Sequence, residues 1–95
     1  MTHRMFTAPV FTARTVAKVI GQKLGRKLTY TEGDEDMDGC VEITSRVHVQ
    51  VGADYLVVCV WEDATTMRGW PARRNIPWAF RDLQEALRKY AERLV

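Results

Sequence analysis

The chain has 95 residues, of which 46% are hydrophobic and 27% charged, and its formal net charge is +2. This length and composition predict one domain over residues 1–95 with a modest core, and they exclude a mostly disordered chain. The small net charge gives no reason to expect a nucleic-acid or membrane partner, and the longest apolar run, residues 55–61, is far shorter than a membrane span.

The two cysteines, Cys40 and Cys59, indicate the redox compartment. The first residues, MTHRMFTAPVF, lack the continuous apolar core of a signal peptide. We therefore expect free thiols in a reducing compartment and a cytoplasmic location. Residues 1–11 show no period and are interpreted as a loose arm or an edge strand.

The charges are separated along the chain, with a basic part before an acidic part. The two sets are Arg4, Arg14, Lys18, Lys23, Arg26 and Lys27, then Glu32, Asp34, Glu35, Asp36, Asp38 and Glu42. Such an order favours internal attraction or a surface with two poles.

A first helix is predicted from Thr12 or Thr15, either of which can cap it, to about Leu28. Its apolar residues recur at helical spacing: Val16, Val19, Ile20, Leu24 and Leu28. Gly21 and Gly25 weaken this prediction, unless they allow close packing against a sheet.

Three strands are predicted next. Residues 28–32 form a short strand, the acidic residues 33–39 form a turn, and residues 41–51 alternate between apolar and polar side chains. Gly52 and Ala53 predict a two-residue hairpin turn with positive φ at Gly52, so residues 55–61 return as the next strand. A further short strand near residues 66–70 is the alternative to a plain loop over residues 62–75.

A second helix is predicted around Pro77, which suits a first helical turn. Its apolar stripe contains Phe80, Leu83, Leu87, Tyr90, Ala91 and Leu94. The fold class is therefore α+β with the order α-β-β-β-α. We expect a three-stranded antiparallel sheet, or a four-stranded one, with both helices on one face.

The hairpin register separates two faces of this sheet. A turn at residues 52–53 places His48 opposite Val57, Arg46 opposite Cys59, and the core under the helices on the other side. The second face then carries a semi-apolar row, and its candidate partner-binding residues are Tyr55, Val57, Trp61, His48 and Arg46. In the other interpretation, the N-terminal arm or the loop over residues 62–76 covers this row.

A second candidate surface lies near the start of the last helix. Trp78, Arg73 and Arg74 are the partner-binding candidates there, and with Trp70 they make an aromatic and basic corner. The alternative is that both tryptophans fasten the long loop to the domain.

The acidic turn spells D-x-D-x-D-G and resembles the first half of a calcium loop. Asp34, Asp36, Asp38 and Glu42 are the candidate ligands for calcium, the one cofactor considered. A full EF-hand is excluded, because Ser45 stands where the bidentate Glu belongs and no helix flanks the loop. The alternatives are a solvated turn, or a loop that binds a basic partner or the first helix of a neighbouring copy.

The predicted order of elements is also that of the double-stranded-RNA-binding domain. That resemblance covers topology alone, because the first hairpin loop is acidic here and phosphates would repel it. For catalysis, the one pair with suitable chemistry is His48 and Cys59, expected as diagonal neighbours without a third orienting group. We therefore expect no enzyme.

The sequence predicts a non-enzymatic protein-interaction module, such as an adaptor, inhibitor or regulator. It would bind a protein partner, or a second copy as a homodimer, through the second sheet face and the acidic loop. Calcium binding and RNA or DNA binding are the alternatives.

Overall fold

This computed structural model describes residues 11–94, with side chains as far as Tyr90, and these residues form two helices and five strands. The predicted arm over residues 1–11 lies, except for Phe11, outside the described residues. The elements are α1 (Ala13–Leu24), β1 (Thr29–Thr31), β2 (Gly39–Glu42), β3 (Val47–Val51), β4 (Leu56–Trp61), β5 (Met67–Gly69) and α2 (Ile76–Leu94).

The strands form one antiparallel sheet in which each strand pairs with the next one along the chain, in the order β1-β2-β3-β4-β5. Helix α1 packs against β1 and β2, and α2 packs against β3 and β4. Both helices share one core with the same sheet face, so the predicted α+β class is confirmed. The sheet has five strands instead of the three or four that were expected.

The start of α1 is fixed by two side chains. Thr12 is the N-cap, and its hydroxyl accepts a hydrogen bond of 3.2 Å from the backbone N–H of Thr15. The Glu32 carboxylate accepts from the backbone N–H groups of Ala13 and Arg14, at 2.9 and 3.1 Å. A carboxylate at this end of a helix satisfies free N–H donors, and its negative charge is stabilised by the positive end of the helix dipole. Glu32 thereby ties the beginning of the acidic loop to α1.

Helix α1 ends earlier than predicted, because Gly25 adopts a left-handed conformation with φ of 74°. The Arg26 N–H donates to the carbonyl of Gly21 at 2.9 Å, and the Gly25 N–H donates to that of Gln22 at 3.3 Å. This pair of bonds is a Schellman motif, which closes a helix at a glycine. Leu28 therefore lies beyond the helix, where it is still buried.

The predicted strand over residues 41–51 is a hairpin, formed by β2 and β3. The Ile43 N–H donates to the Val47 carbonyl at 2.9 Å, and the Thr44 hydroxyl accepts from the N–H groups of Arg46 and Val47. The register pairs Val41 with Val49, so odd-numbered residues face the helices in both strands. The apolar alternation therefore continues through the turn, so the sequence pattern gives no sign of the turn.

The hairpin between β3 and β4 has a longer loop than predicted. Val51 pairs with Leu56, not with Asp54, and the Gly52 N–H donates to the Tyr55 carbonyl at 2.9 Å. The register is shifted by two residues, which leaves every side chain on its predicted face. The expected positive φ at Gly52 is wrong. A Cβ there would lie 2.3 Å from the ring of Tyr55, so Gly52 makes room for that ring.

Helix α2 begins where Asn75 accepts a hydrogen bond of 2.9 Å from the backbone N–H of Trp78, with Pro77 in the first turn as predicted. Leu83 is fully buried in the core. Trp70, just after β5, meets Tyr90 edge to face with ring centroids 6.2 Å apart. Neither α1 nor α2, as far as the chain is described, is long and apolar enough to cross a membrane.

Candidate functional site

Neither α1 nor α2 packs on one face of the sheet, which we call the open face. Strand alternation and the registers assign to it the side chains of Thr29, Thr31, Cys40, Glu42, His48, Gln50, Val57, Cys59, Trp61 and Met67. Both helices contribute to the core on the opposite face. The semi-apolar face expected from the sequence therefore exists.

The apolar part of the open face lies to one side, on β4 and the edge strand β5. Trp61 and Met67 are cross-strand partners on β4 and β5, and they are 39% and 47% exposed. Cys59, next to Trp61 on β4, is only 2% exposed although neither α1 nor α2 covers it. Its two cross-strand neighbours are His48 and Gly69. Sequence reasoning missed Met67, because the strand near residues 66–70 was only an alternative to a loop.

The loop over residues 62–76 extends the sheet instead of covering the open face. Its middle part is β5, which pairs with the edge of β4. Further on, Arg73 exchanges two backbone hydrogen bonds of 2.7 Å with Leu56, at the start of β4. The covering role that the sequence left open for this loop is therefore wrong. Whether the N-terminal arm covers the open face concerns residues 1–10, which lie outside the described part of the chain.

The polar rim of the open face includes a hydrogen-bond cluster at the end near the β3–β4 loop. Asp38 accepts from the side-chain amide of Gln50 at 2.6 Å and from the hydroxyl of Tyr55. The hydrogen bond from the Tyr55 hydroxyl to Asp38 raises the pKa of Tyr55 above its ordinary value, and lesser contributions come from desolvation and nearby carboxylates. Tyr55 therefore lies at the border of the face, and not in the apolar row where it was predicted.

Arg46 lies at the opposite end of the face, in the turn between β2 and β3. Its backbone carbonyl accepts a hydrogen bond of 2.8 Å from the N–H of Trp61. The predicted pairing of Arg46 with Cys59 is therefore wrong by the same two-residue shift. Arg46, His48 and Trp61 nevertheless border one shallow depression, together with Glu42.

His48 is half-buried between Glu42 on β2 and Cys59 on β4, its two cross-strand partners. It faces Cys59 directly, not diagonally as predicted. Burial lowers the pKa of His48 below its ordinary value, and the negative charge of Glu42 opposes part of this effect. The neutral imidazole is thus favoured in the folded protein.

This lowered pKa predicts a pH dependence of stability. Below pH about 6.5 the unfolded chain protonates His48 before the folded chain does, so the free energy of unfolding falls as the pH drops toward the folded pKa. Chemical denaturation should show that the free energy of unfolding falls more between about pH 7.5 and about pH 5 in the wild type than in His48→Gln. Equal losses would mean that the folded environment does not disfavour the charged imidazole.

The two thiols are poorly suited to nucleophilic chemistry. Burial raises the pKa of both, with a further contribution from Glu42 at Cys40 and from Cys40 at Cys59. A raised pKa disfavours the reactive thiolate. The cysteines lie on β2 and β4 with β3 between them and are offset by two residues along the strands, so their Cα atoms are more than about 9.6 Å apart, the width of two strand spacings. This is too far for a disulfide without backbone movement, and both are free.

The acidic loop between β1 and β2 does not bring the four candidate calcium ligands together. Asp34 accepts hydrogen bonds from the backbone N–H groups of Asp36 and Met37, and Asp38 binds Gln50 and Tyr55. Glu42 lies on the open face, where Thr29 donates to it. Within the described residues, no three His, Cys, Asp or Glu side chains are grouped to hold a metal ion. The geometry gives calcium binding no support.

The corner at the start of α2 differs from its prediction. Trp78 is 50% exposed, and it contacts the guanidinium groups of Arg73 and Arg81, whose central carbons lie 5.6 and 4.8 Å from its ring. Arg73 is also bound to the buried Asp82 through two hydrogen bonds of 2.7 and 3.2 Å. This bond to Asp82 raises the pKa of Arg73.

Two of the predicted members of that corner have other partners. Arg74 pairs with Asp54 at 3.1 Å, in an exposed contact. Trp70 packs against the core and Tyr90, so it fastens the loop to the domain as one interpretation expected. The corner therefore offers Trp78 as its one exposed aromatic ring among the described residues, with cations that already have partners.

Comparisons with protein-family models, with curated proteins and with solved structures give no match for this chain. Function must therefore be argued from the surfaces themselves.

Proposed function

We propose that this protein is a non-enzymatic interaction module that binds a protein partner through the open face. One observation supports this proposal above the others: a semi-apolar sheet face lies opposite the core that both helices share with the sheet, and Trp61 and Met67 on it are 39% and 47% exposed. Exposed apolar patches with polar borders are typical of partner sites.

The open face combines the residue types of a protein interface. Trp61, Met67 and Val57 make an apolar part on β4 and β5, while Glu42, Gln50 and other polar groups lie beside it on β2 and β3. Interfaces commonly combine a desolvated apolar centre with a solvated polar rim, and tryptophan is enriched among the residues that dominate binding. Trp61 is therefore the expected anchor, and His48 and Arg46 would border it.

The acidic loop adds charge at one end of this face. Asp38, at the base of the loop, is bonded to Gln50 on the open face itself. Negative side chains at this end of the face favour a partner with basic residues there and raise its association rate at low salt. The partner expected on the open face is therefore a protein that presents basic side chains to the acidic loop and an apolar patch to Trp61, at the other end.

Binding by Trp61 is tested with Trp61→Arg and with the same substitution at Trp78. Each protein serves as bait in a pull-down from a lysate of the native host, with and without nuclease, read by mass spectrometry. We expect a nuclease-resistant partner that wild type and Trp78→Arg retain and that Trp61→Arg loses, because a guanidinium cannot enter an apolar pocket without a large desolvation cost.

Circular dichroism of both variants shows whether the fold survives. If Trp61→Arg unfolds, Trp61 is part of the core, and the less buried Met67→Glu replaces it as the test of the surface. A partner that Trp61→Arg and Met67→Glu both retain contradicts the proposal. A partner lost only with Trp78→Arg moves the site to the corner at α2, and a nuclease-sensitive one favours nucleic acid.

A further inference from the structure

A cleft on the helix side of the sheet lies between α1 and β1, with a volume of about 590 Å³. Its border carries four cationic side chains, Arg14, Lys18, Arg26 and Lys27. Arg26 donates to the carbonyl of Ile43 at 2.6 Å. Within the described part of the chain, none of the four forms an ion pair with a carboxylate. The cleft is therefore rimmed by positive charge that the fold does not neutralise.

The floor of this cleft is apolar. Gly21 and Leu28 line it, and Tyr30 stands at its side with 43% exposure. Sites of this size that combine an apolar floor with a few charged groups are typical of ligand-binding clefts. An apolar side chain flanked by negative charges would complement both the floor and the cationic border.

The tip of the acidic loop has this chemistry. Met37 is 71% exposed, the largest value among the exposed large hydrophobic residues described. Glu35 and Asp36 precede it, and neither has a hydrogen bond or ion pair from its carboxylate to another described residue. Asp34, Asp38 and Glu32 are different, since each accepts hydrogen bonds from this chain. The loop therefore presents a methionine beside two available carboxylates.

The loop lies at the first turn of α1, and the cleft runs along the helix to its other end. Glu32, at the start of the loop, binds the first N–H groups of the helix, whereas Arg26 and Lys27 follow its last residue. The 12 residues of α1 span about 18 Å, at about 1.5 Å per residue. Two copies with antiparallel α1 helices would bring each loop to the far end of the other copy's cleft. This two-fold arrangement makes the contact twice and closes on itself.

We propose that the cleft binds the acidic loop of a second copy of this chain. Met37 enters the apolar floor, and Glu35 and Asp36 pair with Lys18 and Lys27 of the other copy. The contact uses the helix side of the sheet and leaves the open face free. Both proposals use the charge of the acidic loop, but Trp61 takes no part in this contact, so either proposal can fail alone.

The test begins with sedimentation velocity of the purified protein at two salt concentrations. Association is expected at about 10 mM salt, where the Debye length is about 30 Å, and it should weaken at least tenfold at about 1 M, where that length is about 3 Å. The highest attainable protein concentration is included. A protein that is monomeric under all these conditions overturns the proposal.

Charge reversal then tests which residues make the contact. The loop variant carries Glu35→Lys and Asp36→Lys, and the cleft variant carries Lys18→Glu and Lys27→Glu. Each variant alone should associate at least tenfold more weakly, because like charges then face each other in both contacts. An equimolar mixture should restore association, because each variant complements the other twice. A mixture that stays monomeric overturns the proposal, since surface changes that merely perturb the fold cannot complement each other.

Two controls separate this contact from general charge effects and from the open face. Arg88→Glu with Lys89→Glu, on the exposed side of α2, makes the same change in net charge as the cleft variant and should leave association unchanged. Trp61→Arg should also leave it unchanged. If Trp61→Arg abolishes association instead, the two copies meet through their open faces and the cleft is not the contact.

Discussion

Replacing Leu83 by Ala should lower the free energy of unfolding by about 3 kcal/mol. Leu83 has no exposed surface and lies in the core that α2 shares with the sheet. The loss combines the transfer free energy of the side chain with the cavity that remains under the helix. For a domain of this size it corresponds to a fall in melting temperature of roughly 12–24 °C. Thermal and chemical denaturation followed by circular dichroism measure both quantities.

The matched control is Leu87→Ala, one turn further along α2, where the leucine is only half-buried. The same atoms are removed, but solvent already reaches part of the site, so the expected loss is about 1 kcal/mol. Similar losses for the two variants would mean that α2 does not direct Leu83 into the core as described.

Replacing Gly21 by Ala should destabilise the protein by about 1–3 kcal/mol, although Ala is the better residue for a helix interior. A Cβ on Gly21 would lie 2.5 Å from the carbonyl oxygen of Arg26, which belongs to the backbone that closes α1. The chain must shift there, and the hydrogen bond from the Arg26 N–H to the Gly21 carbonyl would be strained. The gain in helix propensity, about 1 kcal/mol, is too small to offset this.

The control for Gly21→Ala is Gln22→Ala, its exposed neighbour in the same helical turn. Gln22 has an ordinary helical environment, so the change should be close to neutral. Chemical denaturation compares the two variants with the wild type. A Gly21→Ala protein that is more stable than the wild type would show that the end of α1 is looser than described.

The sequence predicted which face of each strand is buried better than it predicted where the strands end. Side-chain parity is set by the two-residue period, and it survives any register shift by two. This is why Val57 and Trp61 lie on the expected face although the loop after Val51 is longer than predicted.

The strand predicted over residues 41–51, which is in fact two strands, shows the limit of the same signal. The turn at residues 43–46 has no glycine, proline or asparagine, and it is held by backbone bonds and the Thr44 hydroxyl. Such a turn has a weak signature in composition. Since Ile43 and Val47 keep the parity of one continuous strand, hydrophobic periodicity could not separate β2 from β3.

The candidate sites depend on tertiary contacts to different degrees. The apolar row on β4 follows from alternation within one strand, so the sequence was sufficient to suggest it. Met67 joins that row only through the pairing of β5 with β4. The cleft beside α1 needs both the early end of the helix at Gly25 and the return of the chain into β1, and no local pattern combines these.

The order of strands in the sheet also has a consequence for folding kinetics. Every strand pairs with its immediate neighbour in sequence, and the four loops, over residues 32–38, 43–46, 52–55 and 62–66, are short. The entropy lost in closing a short loop is small, and domains whose contacts are local in sequence fold quickly. The sheet can therefore form as successive hairpins, each on the edge left by the one before. A chain built in this way exposes its unpaired strand edges only briefly during folding, which limits the time available for aggregation.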